Sequence, residues 1–319
     1  MKRLFLLVAL LPAIKPCYCW GFFGHRQINY YAVFLLPPEM LLFYKTHISF
    51  LQEHAVDPDK RRYAVSAEAP RHFIDIDRYG AYPFDSLPRN WNGAVAKYTS
   101  DTLNAHGIVP WWIQVMLARL TAAFREKDQS RILKYSAELG HYIADSHVPL
   151  HTTRNHNGQL TGQKGIHGFW ESRIPELLAA RDWDFFIGQA TYIRNPLDYT
   201  WDRVLESAAA VDTVLKFEKS LSARFPADQL YSYEERNSVV TRQYSAAYTI
   251  AYDASMRGMV ERRMRASVFS VASFWYTAWV NAGQPDLGKL ISNGFTADDL
   301  RDFETLNQAW KNAGDPGDH

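Results

Sequence analysis

"DQSRILKYSAELGHYIADSHVPLH", residues 128–151, is the stretch from which the fold is read. Up to Asp145 it has the apolar spacing of an amphipathic helix. Near its end His141 and Asp145 stand four apart, so they share one face and converge on one point. Pro149 ends or bends that helix and lets His151 approach from another direction. Further on, "HGFWE" (residues 167–171) repeats the spacing with His167 and Glu171. A single His-x-x-x-Asp pair is as often a surface or capping pair as a ligand pair. Two pairs flanking His151 point to one polynuclear metal site. Its donors are imidazole nitrogens and carboxylate oxygens without thiolate, which favours zinc over magnesium or calcium with their all-oxygen shells.

The bulk composition agrees with a large folded core. Of 319 residues, 47% are apolar and 22% charged, with a formal net charge of +1. Near-neutral charge gives no footprint of duplex nucleic-acid binding, although a small phosphate cleft stays open. The start, "MKRLFLLVALLPAI", has a basic end and an apolar run too short to span a bilayer, the form of a secretory signal. "CYC" (residues 17–19) offers a cut before Trp20, which would remove both cysteines; acylation of Cys17 or Cys19 as a lipoprotein is the alternative. The expected divisions are a signal peptide over residues 1–19, one all-α hydrolase domain over 20–283 and a polar tail over 284–319 that adds at most one short helix. Helical spacing runs through "HRQINYYAVFLLPPEMLLFYKTHISFLQEHA", "VPWWIQVMLARLTAAFREKD", "DYTWDRVLESAAAVDTVLKFEKSLSARF" and the long stretch from Ser238 to Ala282. No alternating run is long enough to suggest a sheet. Two long loops, residues 57–93 and 152–165, are placed to line a site.

Other residues carry weaker signals. "RHFIDID" (residues 71–77) holds His72, Asp75 and Asp77, which a half-buried turn with Arg71 and Arg78 would also explain. "DPDKRR" (residues 57–62) sets Asp57 and Asp59 beside Lys60, Arg61 and Arg62, and such a cluster is more often a solvated face than a phosphate clamp. A di-iron or metal-storage bundle is a reading of another class. It would need Glu-x-x-His spacing, whereas the chain shows His-x-x-x-Asp/Glu.

Taken in order, "WGFFGH" (20–25), "HFID" (72–75), "HYIADSHVPLH" (141–151) and "GIHGFWE" (165–171) resemble the zinc-dependent phospholipase C and single-strand-specific nuclease (S-one/P-one type) superfamily. The resemblance implies a helical, secreted or periplasmic hydrolase with three zinc ions. It implies that the amine and carbonyl of Trp20, with His25 and Asp145, hold one zinc. Asp57, His72, His141 and Asp145 would hold a second, Asp57 being preferred to Asp59 for its separation from His72. His151, His167 and Glu171 would hold the third. His147 takes no part.

Two zincs lower the pKa of a shared water toward neutrality, so that hydroxide attacks a phosphodiester in line. By the same resemblance, Asp57 would orient the water or act as general base, and Lys60 with Arg61 would stabilise the transition state. Phe73 and Asp75 would contact substrate, as a head-group pocket or as a base-stacking site. Glu171, "HFIDID" and the absence of disulfides lean to phospholipid; the terminal Trp and "KRR" lean to single-stranded nucleic acid. No transmembrane segment and no protein partner are expected, and the protein is read as a monomer. An extra residue ahead of Trp20 would block its amine. Zinc content, measured by elemental analysis, is expected to fall in that variant, and unchanged content would reject the terminal ligand.

Overall fold

The structure, a computed structural model, describes residues 21–236, 239–291 and 295–312. Trp20 and the expected signal segment lie outside the described residues. The fold is all-α, with one small hairpin. In chain order the helices are α1 (Gly21–Val33), α2 (Pro38–Thr46), α3 (Ile48–Glu53), α4 (Asp57–Arg61), α5 (Trp91–Tyr98), α6 (Ser100–Ala105) and α7 (Val109–Glu126). They continue with α8 (Gln129–Ser146), α9 (Ile166–Gly168), α10 (Ile174–Asp182), α11 (Pro196–Ser222), α12 (Ala246–Ser255), α13 (Met259–Asn281) and α14 (Ala297–Asn312). None of the described helices is long and apolar enough to cross a membrane.

Local chemistry sets the boundaries. The break between α1 and α2 falls at Pro37–Pro38, with Pro38 in the first turn of α2 where its missing N–H costs nothing. Between α7 and α8 the chain reverses at Lys127, which is left-handed (φ 56°), and the Asp128 carboxylate caps α8 by accepting from the Arg131 N–H at 3.0 Å. This makes α7 and α8 an antiparallel pair, against which α1 and α13 pack. In the core, Trp275 of α13 stacks on Tyr44 of α2 with centroids 5.0 Å apart and donates its N–H to Ser136 O on α8.

The long stretch after residue 238 departs from its expected helical reading. Strands β1 (Tyr231–Arg236) and β2 (Val239–Tyr244) pair antiparallel, with Tyr231 opposite Tyr244, before α12 and α13 begin. Six-residue strands give too little alternation to override a helical period. Contacts from elsewhere hold the hairpin: Tyr244 stacks on Phe169 at 3.9 Å, and Arg173 pairs with Glu234. In the segment after residue 283, α14 lies against α4, where Lys60 Nζ donates to Asn307 Oδ1 at 2.8 Å, and Trp310 packs on Phe22 of α1.

One close approach positions the site. Asn29 of α1 donates to Leu51 O on α3 and to Ala137 O on α8, both at 3.1 Å, and its side chain lies directly on Gly140. A Cβ at Gly140 would run into the Asn29 amide. Gly140→Ala is expected to destabilise the protein by about 1–3 kcal/mol through overpacking, seen as a lower urea midpoint with an unchanged slope. An unchanged midpoint would show that α1 can move away freely.

Candidate metal centre

Short segments from along the chain meet around the C-terminal end of α8. That helix contributes His141 and Asp145, both fully buried, and α1 contributes His25. His72 follows the 3-10 turn Ala69–Arg71, and His151 sits in the 3-10 turn Pro149–Thr152 that Pro149 opens. These two turns are tied together: Ile74 N–H donates to His151 O at 2.9 Å, and His151 Nδ1 donates to His72 O at 2.6 Å. His167 lies in α9, and Glu171 in a π-helical turn (Phe169–Arg173) that widens the helix at the site. Such turns are frequent at functional positions. Asp59 comes from α4.

The donor atoms form compact groups. Asp59 Oδ1, His72 Nδ1, His141 Nε2 and Asp145 Oδ2 make one. His72 Nδ1 is 3.0 Å from His141 Nε2, 3.0 Å from Asp145 Oδ2 and 3.8 Å from Asp59 Oδ1. His141 Nε2 is 3.3 Å from Asp145 Oδ2 and 3.6 Å from Asp59 Oδ1. A tetrahedron with bonds of about 2.0–2.1 Å has edges of about 3.3 Å, and these five separations, from 3.0 to 3.8 Å, are of that size. A second group is a triangle: His151 Nε2 and His167 Nε2 are 3.1 Å apart and lie 3.4 and 3.1 Å from Glu171 Oε2. Three donors leave room for a fourth, as in sites that bind substrate or water. A third group has His25 Nε2 3.4 Å from Asp145 Oδ1, with the His25 ring stacked on His141 at 3.7 Å. Asp145 thus turns one oxygen to each of two groups.

Unpaired polar atoms support metal binding at these groups. His25 Nδ1 and Nε2, both oxygens of Asp59, Asp145 Oδ1 and both oxygens of Glu171 are buried and make no hydrogen bond among the described residues. Buried polar atoms are almost always paired, because leaving one unpaired costs about 1–3 kcal/mol. Each group combines imidazole and carboxylate, which suits zinc.

Residues 24–229 match the family of zinc-dependent phospholipase C. The chain belongs to that family. Membership makes it a zinc-dependent hydrolase of phosphoric esters by family, and the buried nitrogen and oxygen donors are of the right chemistry for that metal. A search of curated proteins returned no match to this chain.

Within this phospholipase C-family domain the other expected site residues lie as follows. Phe73 and Asp75 line a small cleft with Leu150, His151, Thr153, His156 and His167, so both border the open three-donor group. The Asp75 carboxyl is pushed up to about 6 by burial and by Asp77 beside it. Asp57 lies apart from the donor groups. Its Oδ2 is 2.6 Å from His54 Nδ1 and its Oδ1 accepts from Lys60 at 3.1 Å. Burial alone would raise that carboxyl, but His54 and Lys60 hold it below the ordinary range. The donor beside His72 and His141 is Asp59 instead. Two residues apart on a helix, Asp57 and Asp59 project about 200° from each other, so only one can face the site.

Both expected cations are engaged elsewhere. Lys60 is shared between Asp57 and Asn307, while Arg61 binds Glu138, Glu68 and Tyr142. His147 is buried with Nε2 3.0 Å from Ser270 Oγ and lies in none of the donor groups. Glu68 stands four residues before His72, the same separation as in the pairs His141/Asp145 and His167/Glu171, and that spacing is the signal that could have found it; His156 carries none.

The charges make stability and metal affinity move oppositely with pH. Burial lowers His141 and His151, but Asp145 with Asp59, and Asp145 with Glu171, outweigh it and push them to about 8 and about 9. Both values exceed the ordinary imidazole value of about 6.5. Their contribution is therefore complete below that pH and is lost as pH rises through the folded values. Asp145 and Glu171 are held low by His141, His151 and His167 despite burial, so their contribution is present above the ordinary carboxylate range and lost as pH falls through their folded values. Metal-free protein is expected to lose stability in urea between about pH 6.5 and 9, while zinc affinity in chelator competition rises over that window as the imidazoles release protons. A flat stability profile would contradict the ion pairing.

Proposed function

We propose that this chain is an exported phospholipase C-type enzyme that cleaves the phosphodiester of a phospholipid with three zinc ions bound. The observation that carries the reading is the convergence of Asp59, His72 and His141, with Asp145 against both histidines, beside a three-donor group of His151, His167 and Glu171 that borders the cleft. The first group would hold one ion, and His151, His167 and Glu171 a second. The third would lie between His25 and Asp145 with Trp20, which the signal cut after residue 19 would make the mature terminus. Bound zinc would supply Lewis acidity toward the phosphoryl oxygens and acidify the attacking water.

The protein's own groups do the rest. Asp59 Oδ2 makes no hydrogen bond among the described residues, so it is free to orient the water and accept its proton. Asp75, anionic above about pH 6, and the Phe73 ring form a cleft wall suited to a cationic head group. Leu150 supplies apolar surface beside them. The same Phe73 could stack on a base. Against the nuclease reading, Lys60 and Arg61 are already bound to carboxylates.

The deciding experiment uses zinc-loaded protein beginning at Trp20, assayed on phosphatidylcholine vesicles and on single-stranded DNA with a chelated control. Chelator-sensitive release of the phosphorylated head group is expected, with DNA left intact. Cleavage of DNA alone would overturn the phospholipid assignment. In the same assay Asp59→Asn is expected to lower kcat/KM by at least about 100-fold, whereas Asp57→Asn stays within about tenfold of the wild type. The reverse ranking would return the water-orienting role to Asp57.

A further inference from the structure

The outer nitrogens of the clustered histidines are not held alike. His141 Nδ1 donates to Ala55 O at 2.8 Å, His151 Nδ1 to His72 O at 2.6 Å and His167 Nδ1 to His156 O at 3.2 Å. Each of these three leans on a neutral backbone carbonyl. His72 differs. Its Nδ1 faces Asp59, His141 and Asp145, while its Nε2 looks the other way, buried and without a hydrogen-bond partner among the described residues, with Glu68 Oε1 3.7 Å away.

Glu68 is itself fixed on every side. It is fully buried, accepts from Tyr142 OH, and pairs with Arg71 Nη1 at 2.5 Å and Arg61 Nη1 at 3.5 Å. The Arg71 guanidinium stacks over Trp112 at 3.9 Å, and Arg61 is anchored by Glu138. Two guanidinium groups and a phenol thus hold one carboxylate against the back of one histidine. That arrangement also accounts for Arg61, a cation that the sequence alone offers to the substrate.

We propose that Glu68 is a positioning residue for His72. Its carboxylate, 3.7 Å away, is the acceptor on which the unpartnered Nε2–H of His72 closes, which keeps the proton on Nε2 and leaves the Nδ1 lone pair for the metal. An anionic acceptor behind the ring raises the basicity of the donor nitrogen, as in carboxylate–histidine–zinc triads. The four-donor group therefore receives a stronger imidazole donor than the three-donor group, whose histidines rest on carbonyls. The inference rests on the zinc reading above.

The test compares zinc-loaded wild-type protein with Glu68→Gln and Glu138→Gln, by chelator competition and elemental analysis. Glu138→Gln removes a carboxylate from the same arginine without touching His72, so it reports the structural cost of disturbing the network. Glu68→Gln is expected to weaken one zinc about 10–100-fold and leave the others unchanged, while Glu138→Gln leaves all of them unchanged. Equal affinities in wild type and Glu68→Gln, or equal losses in both variants, would overturn the positioning role. Absence of zinc from the wild type would instead overturn the zinc reading. A second measurement needs no variant: long-range proton–nitrogen NMR of the zinc-loaded wild type should show the His72 proton on Nε2 and shifted downfield. A proton on Nδ1 would overturn the proposal even if Glu68→Gln failed to fold.

Discussion

A carboxylate with no access to water has to be neutralised by what surrounds it, and Asp145 is such a carboxylate. The cost of burying it bare is several kcal/mol, so its neighbours are not optional. Oδ1 meets His25 at 3.4 Å, Oδ2 meets His72 and His141 at 3.0 and 3.3 Å, and His151 lies 4.0 Å away. Four histidines from four segments are thereby drawn to one point. Gly140, immediately before His141, lets α1 approach closely enough for this through Asn29. The helical packing and the donor geometry are one arrangement seen from two sides.

Around that point the groups divide their roles by how far they are enclosed. The four-donor group is walled by α4, α8 and the His72 turn, and the arginine–glutamate network backs one of its ligands. The three-donor group shares His151 and His167 with the lining of the small cleft, which no residue of the four-donor group lines. Zinc in both groups would place one ion beside the cleft and one away from its lining residues. Helix α14 packs on α4, engaging Lys60 through Asn307 and placing Phe303 against His54. Lys60 and Arg61 of the basic run have thus become part of the frame that holds α4. A strand of cations in the sequence need not be a surface for anions.

Much of this is legible in the amino-acid sequence by itself. Helical period locates α7, α8 and α11, and Pro37–Pro38 and Pro149 mark real ends, because these signals are local and act within a few residues. The pairs His141/Asp145 and His167/Glu171 are legible for the same reason: four residues is about one helical turn, and the pairing is built into the backbone. His25 carries no spacing of its own, and His72 has only Glu68 four residues before it, so their order relative to the other motifs, through the family resemblance, marks them. What stays hidden requires contacts between distant segments. The choice between Asp57 and Asp59 depends on which side of a five-residue helix meets α8. Arg61 faces Glu138 and Glu68 because α8 and the loop at residue 68 surround it. The β-hairpin persists because Phe169 and Arg173 receive it. Such choices follow from burial and charge neutralisation in three dimensions, where residues far apart in the chain compete for the same partner, and no local pattern records which one wins.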